Sequence, residues 1–196
     1  MQEMLWTLLV TSLCFTTTRV QAACAKPEVQ KDFNFLEYLG TWFEIQRSSS
    51  HGCLPEDSSF SIRIQSSGFL NLLLQGISEN SQVITHDAEL YPTSTKEPGK
   101  KILIHIQHHL SNHPLKVCIR IIHYWVLSTD YKNYSLVYSC FVNLGIFSTQ
   151  SDHYWIFSRQ MHLPENTTNQ LHEILASYNI ATKNIATVDH EDCSSF

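Results

Sequence analysis

The chain has little charge and no long apolar run in its body. Only 16% of its residues are charged, and the formal net charge is −5. The basic residues are scattered and are not interleaved with stacking aromatic residues, which argues against a nucleic-acid partner. No run of about 18 apolar residues follows the N-terminal segment, so no transmembrane helix is predicted.

Motifs that support catalysis are also missing. The sequence has no G-x-S-x-G, no H-E-x-x-H and no glycine-rich phosphate loop, and without C-x-x-C a zinc ribbon is excluded. A cluster of histidines raises the hypothesis of a metal site, but no carboxylate lies between residues 98 and 129 and strand alternation separates neighbouring rings. These are His105, His108, His109, His113 and His123. We therefore predict no enzyme, no metal and no cofactor.

The N-terminus carries a short apolar segment, from Met4 to Phe15, followed by the small-residue site Val20-Gln21-Ala22. Such a segment is too short to span a bilayer and is typical of a cleaved secretory signal peptide. A retained anchor is the alternative, because Glu3 stands where a Lys or Arg is usual. We predict a signal peptide over residues 1–22 and one secreted domain over residues 23–196.

Six cysteines are present, and Cys14 is removed with the signal peptide. The five that remain in an oxidising compartment indicate two disulfides and one leftover thiol, although spacing alone does not choose the pairs. Two sequons predict N-glycosylation, at Asn133 in Asn133-Tyr134-Ser135 and at Asn166 in Asn166-Thr167-Thr168.

Apolar and polar residues alternate from residue 58 to residue 159, which is the pattern of strands with one buried face. Phe60, Ile62 and Ile64 form one run, and Leu70, Leu72 and Leu74 form the next after a Ser-Ser-Gly turn. Further strands are predicted at 42–48, 81–91, 101–107, 121–129, 134–142 and 153–159. One helix is predicted after Pro164-Glu165 from the apolar spacing of Leu171, Ile174, Leu175 and Tyr178. The fold class is therefore all-β: an eight-stranded antiparallel up-and-down barrel with one C-terminal helix packed outside.

Three motifs add a family resemblance. Gly40-Thr41-Trp42 lies at the first strand, Thr129-Asp130-Tyr131 lies between the sixth and seventh strands, and Arg159 ends the eighth. In order and spacing they resemble the three characteristic regions of the lipocalins. The resemblance implies a barrel closed at one end, where the Arg159 guanidinium stacks on the Trp42 indole and contributes about 1–2 kcal/mol.

The resemblance also implies disulfide pairs and leaves one thiol unassigned. Cys24 is expected to pair with Cys140 and Cys53 with Cys193, so Cys118 is the odd thiol. Cys118 is interpreted as an inert apolar thiol, as the site of a disulfide to a partner, or as a nucleophile. The nucleophile is disfavoured because Arg120 is its only nearby cation.

The cavity is predicted to be lined by apolar residues almost without polar atoms. Such a lining selects for shape and apolarity and not for a head group, so fatty acids, steroids and retinoids all fit. The predicted ligand-binding residues are Phe60, Ile62, Ile64, Leu70, Leu72, Leu74, Ile102, Ile104, Ile106 and Trp155.

The connections at the open end of the predicted barrel are the remaining feature of the sequence that bears on function. The stretch 108–122 is longer than its counterpart in the family, and it can gate the cavity, touch a membrane or extend a hairpin. Leu144, Ile146 and Phe147 form an apolar patch for a lipoprotein or membrane surface, or continue the strand and pack inward. We predict a secreted carrier of a small hydrophobic ligand. The alternatives are a secreted interaction protein that uses the barrel as a scaffold and an enzyme that depends on Cys118.

Overall fold

A computed structural model describes residues 24–48, 57–64, 70–77, 83–93, 95–109, 116–143, 149–183, 185–188 and 190. The predicted signal peptide, the pair Cys53 and Cys193, and the apolar residues Leu144, Ile146 and Phe147 lie outside these ranges.

The described residues form nine strands and two helices. The strands are β1 (Gly40–Ser48), β2 (Asp57–Ile64), β3 (Leu70–Ile77), β4 (Val83–Pro92), β5 (Lys100–His109), β6 (Lys116–Thr129), β7 (Tyr134–Asn143), β8 (Thr149–Ser158) and β9 (Ile185–Thr187). The helices are α1 (Phe35–Tyr38) and α2 (Glu165–Ser177). Neither is long and apolar enough to cross a membrane.

All strand pairings are antiparallel and follow chain order from β2 to β8. β1 pairs with β8 and also with β2, so the pairing returns to its starting strand. The predicted eight-stranded antiparallel barrel is therefore confirmed. The short strand β9, which pairs with the end of β1, was not predicted.

The stretch 108–122 is mainly strand. β5 and β6 pair continuously from Lys100 opposite Trp125 to His109 opposite Lys116. Only residues 110–115 of this stretch lie outside the described ranges. Of the three roles considered for it, the extension of a hairpin is the one that the pairing supports.

Two apolar clusters lie on opposite sides of the sheet. The inner cluster joins residues from facing walls of the barrel: Phe33, Tyr38, Trp42, Ala88, Leu90, Tyr124, Val126, Val137 and Phe157. The outer cluster joins the sheet to α2 and includes Ile45, Leu136, Tyr138, Cys140, Tyr154, Ile156, Leu171 and Leu175. Strand alternation produces this separation, because successive side chains leave a strand on opposite faces. The predicted outside helix is confirmed.

The expected disulfide between Cys24 and Cys140 is present, with their Cα atoms 5.9 Å apart. It ties the segment before α1 to β7 on the outer side of the barrel. Beside it, the Ala25 amide donates to Asp152 Oδ1 at 3.2 Å, and the Tyr138 hydroxyl donates to the same oxygen at 2.6 Å.

The Thr129-Asp130-Tyr131 motif builds the turn between β6 and β7. Asp130 Oδ1 accepts hydrogen bonds from the amides of Lys132, Asn133 and Tyr134 at 2.7–3.1 Å. Burial alone raises the pKa of Asp130, but these hydrogen bonds outweigh it and hold the pKa below its ordinary value. Tyr131 adopts a left-handed backbone with φ of 65°.

Arg159 closes the floor of the barrel. Its guanidinium carbon lies 3.7 Å from the centre of the Trp42 ring, so the predicted stacking is confirmed. Its Nη1 donates to Thr41 O at 2.7 Å, its Nη2 donates to Leu39 O at 2.9 Å, and its Nε donates to Tyr131 O at 3.1 Å. The motifs that are far apart in sequence therefore meet on one side chain.

Gly40 permits this arrangement. Its φ is +104°, and a Cβ placed on it would lie 3.2 Å from Arg159 Nη1. A side chain here would both strain the backbone and push the guanidinium away from the carbonyls that it binds.

We expect Arg159→Met to lower the free energy of unfolding by about 3 kcal/mol, because it removes the cation–π contact and leaves carbonyl groups without their donor. Arg159→Lys should lower the free energy of unfolding by less than Arg159→Met does, since lysine keeps the charge but lacks the planar fork of the guanidinium. Urea denaturation measures both. Equal midpoints for Arg159→Met and the unmodified protein would contradict a structural role for the plug.

Candidate functional site

The inner wall above the floor is the candidate site, because β1, β4, β6, β7 and β8 contribute buried apolar residues to it. Trp155 and Phe157 of β8 lie on the inner side and pack with the inner cluster, together with Ala88 and Leu90 of β4. Trp155 is partly exposed, which is consistent with a position at the edge of an open space.

Below this space lies a cluster of buried hydroxyl groups. Tyr38 Oη lies 2.9 Å from Tyr124 Oη and 2.7 Å from Ser135 Oγ. Burial raises the pKa of Tyr38 to about 12 and that of Tyr124 well above its ordinary value. Both phenols are therefore neutral hydrogen-bonding groups and carry no charge at neutral pH.

The inner wall contains an ion pair. Glu44 lies opposite Phe157, and Arg47 lies opposite Trp155, so both are on the inner side of β1. Arg47 Nη1 lies 3.1 Å from Glu44 Oε1, and the two side chains are 16% and 1% exposed. The expectation of a wall almost without polar atoms is therefore wrong at this point.

A second inner polar residue is Lys101. It lies opposite Tyr124 and Pro92 in the sheet and is only 6% exposed. Its ammonium is 5.5 Å from the centre of the Phe35 ring, at the floor. Burial lowers the pKa of Lys101.

The strand register shows which face holds each predicted cavity residue. Phe60 lies opposite Trp42, Leu70 opposite Leu90 and Leu72 opposite Ala88, and directly paired residues share a face. The predicted residues on the same face as the inner cluster are Phe60, Ile62, Ile64, Leu70, Leu72 and Leu74. Apart from Trp155, the side chains of the predicted set lie outside the described part of the structure.

The register places Ile102, Ile104 and Ile106 on the other face. Ile102 lies opposite Tyr91, and Ile104 lies opposite Glu89, one position out of step with Ala88 and Leu90. The inner face of β5 instead holds Lys101, Leu103, His105 and Gln107. The three isoleucines therefore do not belong to the inner face, contrary to the sequence-based assignment.

The cause of this difference is the two-residue period of a strand. Apolar residues at alternate positions show which residues share a face, but not whether that face is the inner or the outer side of the barrel, so the apolar positions of β5 were predicted to lie inside. Glu44, Arg47 and Lys101 were missed for the same reason. The available signal for Glu44 was its position two residues after Trp42, which puts both on one face.

Cys118 and the histidines do not form a described site. Cys118 lies opposite Gln107, on the inner face by register, and its side chain is outside the described part. Among the described residues, one group of three side chains has the chemistry for a metal, namely Cys24, Cys140 and Asp152. Since the two cysteines form a disulfide, this group is not a metal centre.

The two sequons lie at exposed positions. Asn133 is in the turn after β6, where its amide nitrogen donates to Asp130 Oδ2 at 2.6 Å. Asn166 is exposed in the first turn of α2. Glycosylation of either residue stays a prediction.

Comparisons with known proteins agree with this architecture. A family model described as Triabin matches residues 17–169. Apolipoprotein D of Macaca fascicularis is 32% identical over 177 residues, which cover 88% of this chain and 85% of that protein. Apolipoprotein D of Rattus norvegicus is 30% identical over 204 residues and covers 100% of both. Insecticyanin from the tobacco hornworm Manduca sexta has a TM-score of 0.69 at 19% identity, over 88% of this chain and 89% of that chain.

An antiparallel eight-stranded barrel with a plugged floor and one outer helix defines a lipocalin, a class of binding and carrier proteins and not of enzymes. The chain belongs to the lipocalin family, and it is similar to apolipoprotein D over nearly its whole length.

The inner ion pair generates a prediction about stability. We expect Arg47→Met to lower the free energy of unfolding by about 3 kcal/mol, because it leaves the buried Glu44 carboxylate without its cation. The double variant Glu44→Gln with Arg47→Met should be more stable than Arg47→Met alone. Urea denaturation of the two variants makes the comparison, and a double variant that is less stable than Arg47→Met would contradict it.

Proposed function

We propose that this protein is a secreted carrier that binds one small hydrophobic ligand inside the barrel. The observation that carries the proposal is the continuity of the inner face above a sealed floor. Leu70 and Leu72 lie in register with the buried residues Leu90 and Ala88, and the half-buried Trp155 lies on the facing wall. A barrel of eight strands can enclose one small ligand.

The sealed floor sets the direction of entry. Arg159 and Trp42 block one end together with α1, whose Tyr38 packs on the Trp42 ring at 5.0 Å. A ligand therefore enters and leaves at the other end, where β1, β3, β5 and β7 end. Burial of apolar ligand surface supplies the binding free energy, and loss of ligand freedom opposes it.

Secretion is part of the same proposal. The N-terminal apolar segment with its small-residue site supports a signal peptide over residues 1–22, ahead of one domain over residues 23–196. The Cys24–Cys140 disulfide is consistent with an oxidising compartment. Cys118 remains a candidate for a disulfide to a partner.

A second candidate function is contact with a lipoprotein or membrane surface. One observation favours it: Ile104 lies opposite Ile121 and Ile106 opposite Ile119, on the outer face by register. A contiguous apolar patch on the surface of a protein marks a site where another apolar surface binds. This function adds to ligand carriage, since the two use opposite faces of the same strands.

The test is a titration of the delipidated protein with arachidonate, progesterone and retinoic acid, followed by quenching of tryptophan fluorescence. We expect saturable one-to-one binding near micromolar concentration. Leu72→Glu should abolish it, because it puts a charge on the inner face. The matched control is Leu73→Glu, since Leu73 lies opposite Ser61 and Asp87 on the other face and should leave binding unchanged.

Trp155→Phe shows whether the signal comes from the cavity. Trp155 is on the inner side, while Trp125 is on the outer side beneath Lys100, whose ammonium is 4.8 Å from its ring. The quench should therefore be smaller in Trp155→Phe than in the unmodified protein, because Trp42 is the other tryptophan of the inner cluster, and it should be unchanged in Trp125→Phe. No saturable binding of any of the three ligands by folded protein would overturn the carrier function.

A further inference from the structure

A histidine lies on the inner wall, next to the tryptophan at the edge of the candidate site. His153 of β8 is two residues before Trp155 and so leaves the strand on the same side, whereas Tyr154 and Ile156 belong to the outer cluster. The His153 and Trp155 rings are nearly parallel, with their centres 6.4 Å apart and their planes 23° apart. His153 is 8% exposed. A ligand that packs on Trp155 would therefore lie beside this imidazole and remove more water from it.

Serine hydroxyls contact both nitrogens of the His153 ring. Nε2 lies 2.8 Å from Ser151 Oγ, and Nδ1 lies 3.4 Å from Ser48 Oγ. A hydroxyl can donate to a bare ring nitrogen or accept from a protonated one, so these contacts suit the neutral and the charged ring alike. Burial and nearby charges therefore decide which form of the ring is present.

The strands around His153 carry few charged residues. The neighbouring strand β7 has none, and the same is true of β9 beyond β1. The carboxylate of Asp152 in β8 is on the outer side, where it accepts hydrogen bonds beside the disulfide. On β1, Arg47 lies opposite Trp155, and its guanidinium is 3.1 Å from Glu44 Oε1. Within the described part of this wall, the charged groups of these strands are thus one cation and one carboxylate that bind each other.

These surroundings disfavour the charged form of the ring. Burial lowers the pKa of His153 from its ordinary value of 6.5, and the charge of Asp152 raises it by less. The ring is therefore neutral at neutral pH and gains its proton only in acid. A ligand that covers the ring removes more water and lowers the pKa further, so binding favours the neutral ring. Linkage then requires that protonation weaken binding by the same factor.

Other histidines must be separated from His153 in a test. By register, His86 of β4 and His105 of β5 also lie on the inner face. Their imidazoles titrate in the same ordinary range. His172 of α2 is on the outer side, where its Nε2 lies 2.9 Å from Gln46 Oε1. It serves as a control, since burial lowers its pKa as well.

We propose that acid releases the ligand from this protein through His153. Protonation puts a positive charge in the part of the inner wall on which the ligand packs, and the charged ring regains water when the ligand leaves. The inference rests on the proposed carrier function and adds its control by pH.

The test is the dissociation constant of progesterone, which has no titratable group, measured by equilibrium dialysis of the delipidated full chain between about pH 7.5 and about pH 4.5. The unmodified protein should bind at least about fivefold more weakly at the acidic end. In His153→Phe the change should be less than about twofold, and in the matched control His172→Phe it should equal that of the unmodified protein. A pH dependence that persists in His153→Phe, or that is lost in His86→Phe or His105→Phe instead, would overturn the proposal.

A second measurement reads the titration of the ring itself. The pKa of His153, followed by nuclear magnetic resonance, should be lower in protein saturated with progesterone than in delipidated protein, and equal values would contradict the coupling. Near-ultraviolet circular dichroism should stay constant over the same pH range, because a loss of signal would mean that release is unfolding and not protonation of one residue. His153→Gln takes the place of His153→Phe if the latter does not fold. If folded protein does not bind progesterone, arachidonate or retinoic acid at about pH 7.5, the carrier function itself fails, whereas equal affinity at both ends of the range refutes only the acid release.

Discussion

The contact between the Arg159 guanidinium and the Trp42 ring is the constraint on which the rest of the barrel depends. One planar cation stacks on the indole, binds carbonyl oxygens next to Gly40, and binds the carbonyl of Tyr131 in the β6–β7 turn. The start of β1, the β6–β7 turn and the end of β8 are thereby held at one end of the barrel. A lysine could not satisfy this many acceptors, because its ammonium is compact and lacks a planar fork.

A fixed floor makes the two faces of the sheet inequivalent. On the inner face, Trp155 and Phe157 continue the wall above the plug, and the outer face is covered in part by α2 through Leu171 and Leu175. The charged residues of β5 also differ between the inner and the outer face. Lys100 and Lys101 are adjacent in sequence, yet one has a carboxylate partner outside and the other is buried inside without one among the described residues.

Much of the architecture could be predicted because it depends on local pattern. Alternation over residues 58–159 indicated the strands, and the spacing of Leu171 and Leu175 indicated the helix. The resemblance of the Gly40, Asp130 and Arg159 motifs to those of the lipocalins implied the plug. The residues that line the cavity were harder to predict. For β5 the apolar residues Ile102, Ile104 and Ile106 looked like the buried set, whereas the register places Lys101, Leu103 and His105 on the inner face. The strand β9 left no distinctive pattern in the sequence, and the position of Glu44 two residues after Trp42 was the available signal for the Glu44–Arg47 pair.

The sequence by itself determined that the chain forms an antiparallel barrel with an outer helix, because alternation and apolar spacing carry that information. The contact of Trp42 with Arg159 and the pairing of Cys24 with Cys140 were implied by the resemblance to the lipocalins, since the spacing of the cysteines does not choose their partners. Only the tertiary structure decided which set of alternate residues in each strand faces the inside of the barrel. A shift of one residue in pairing moves every side chain to the other face, and that choice is made by neighbouring strands and by closure of the ring through β1, not by the strand alone.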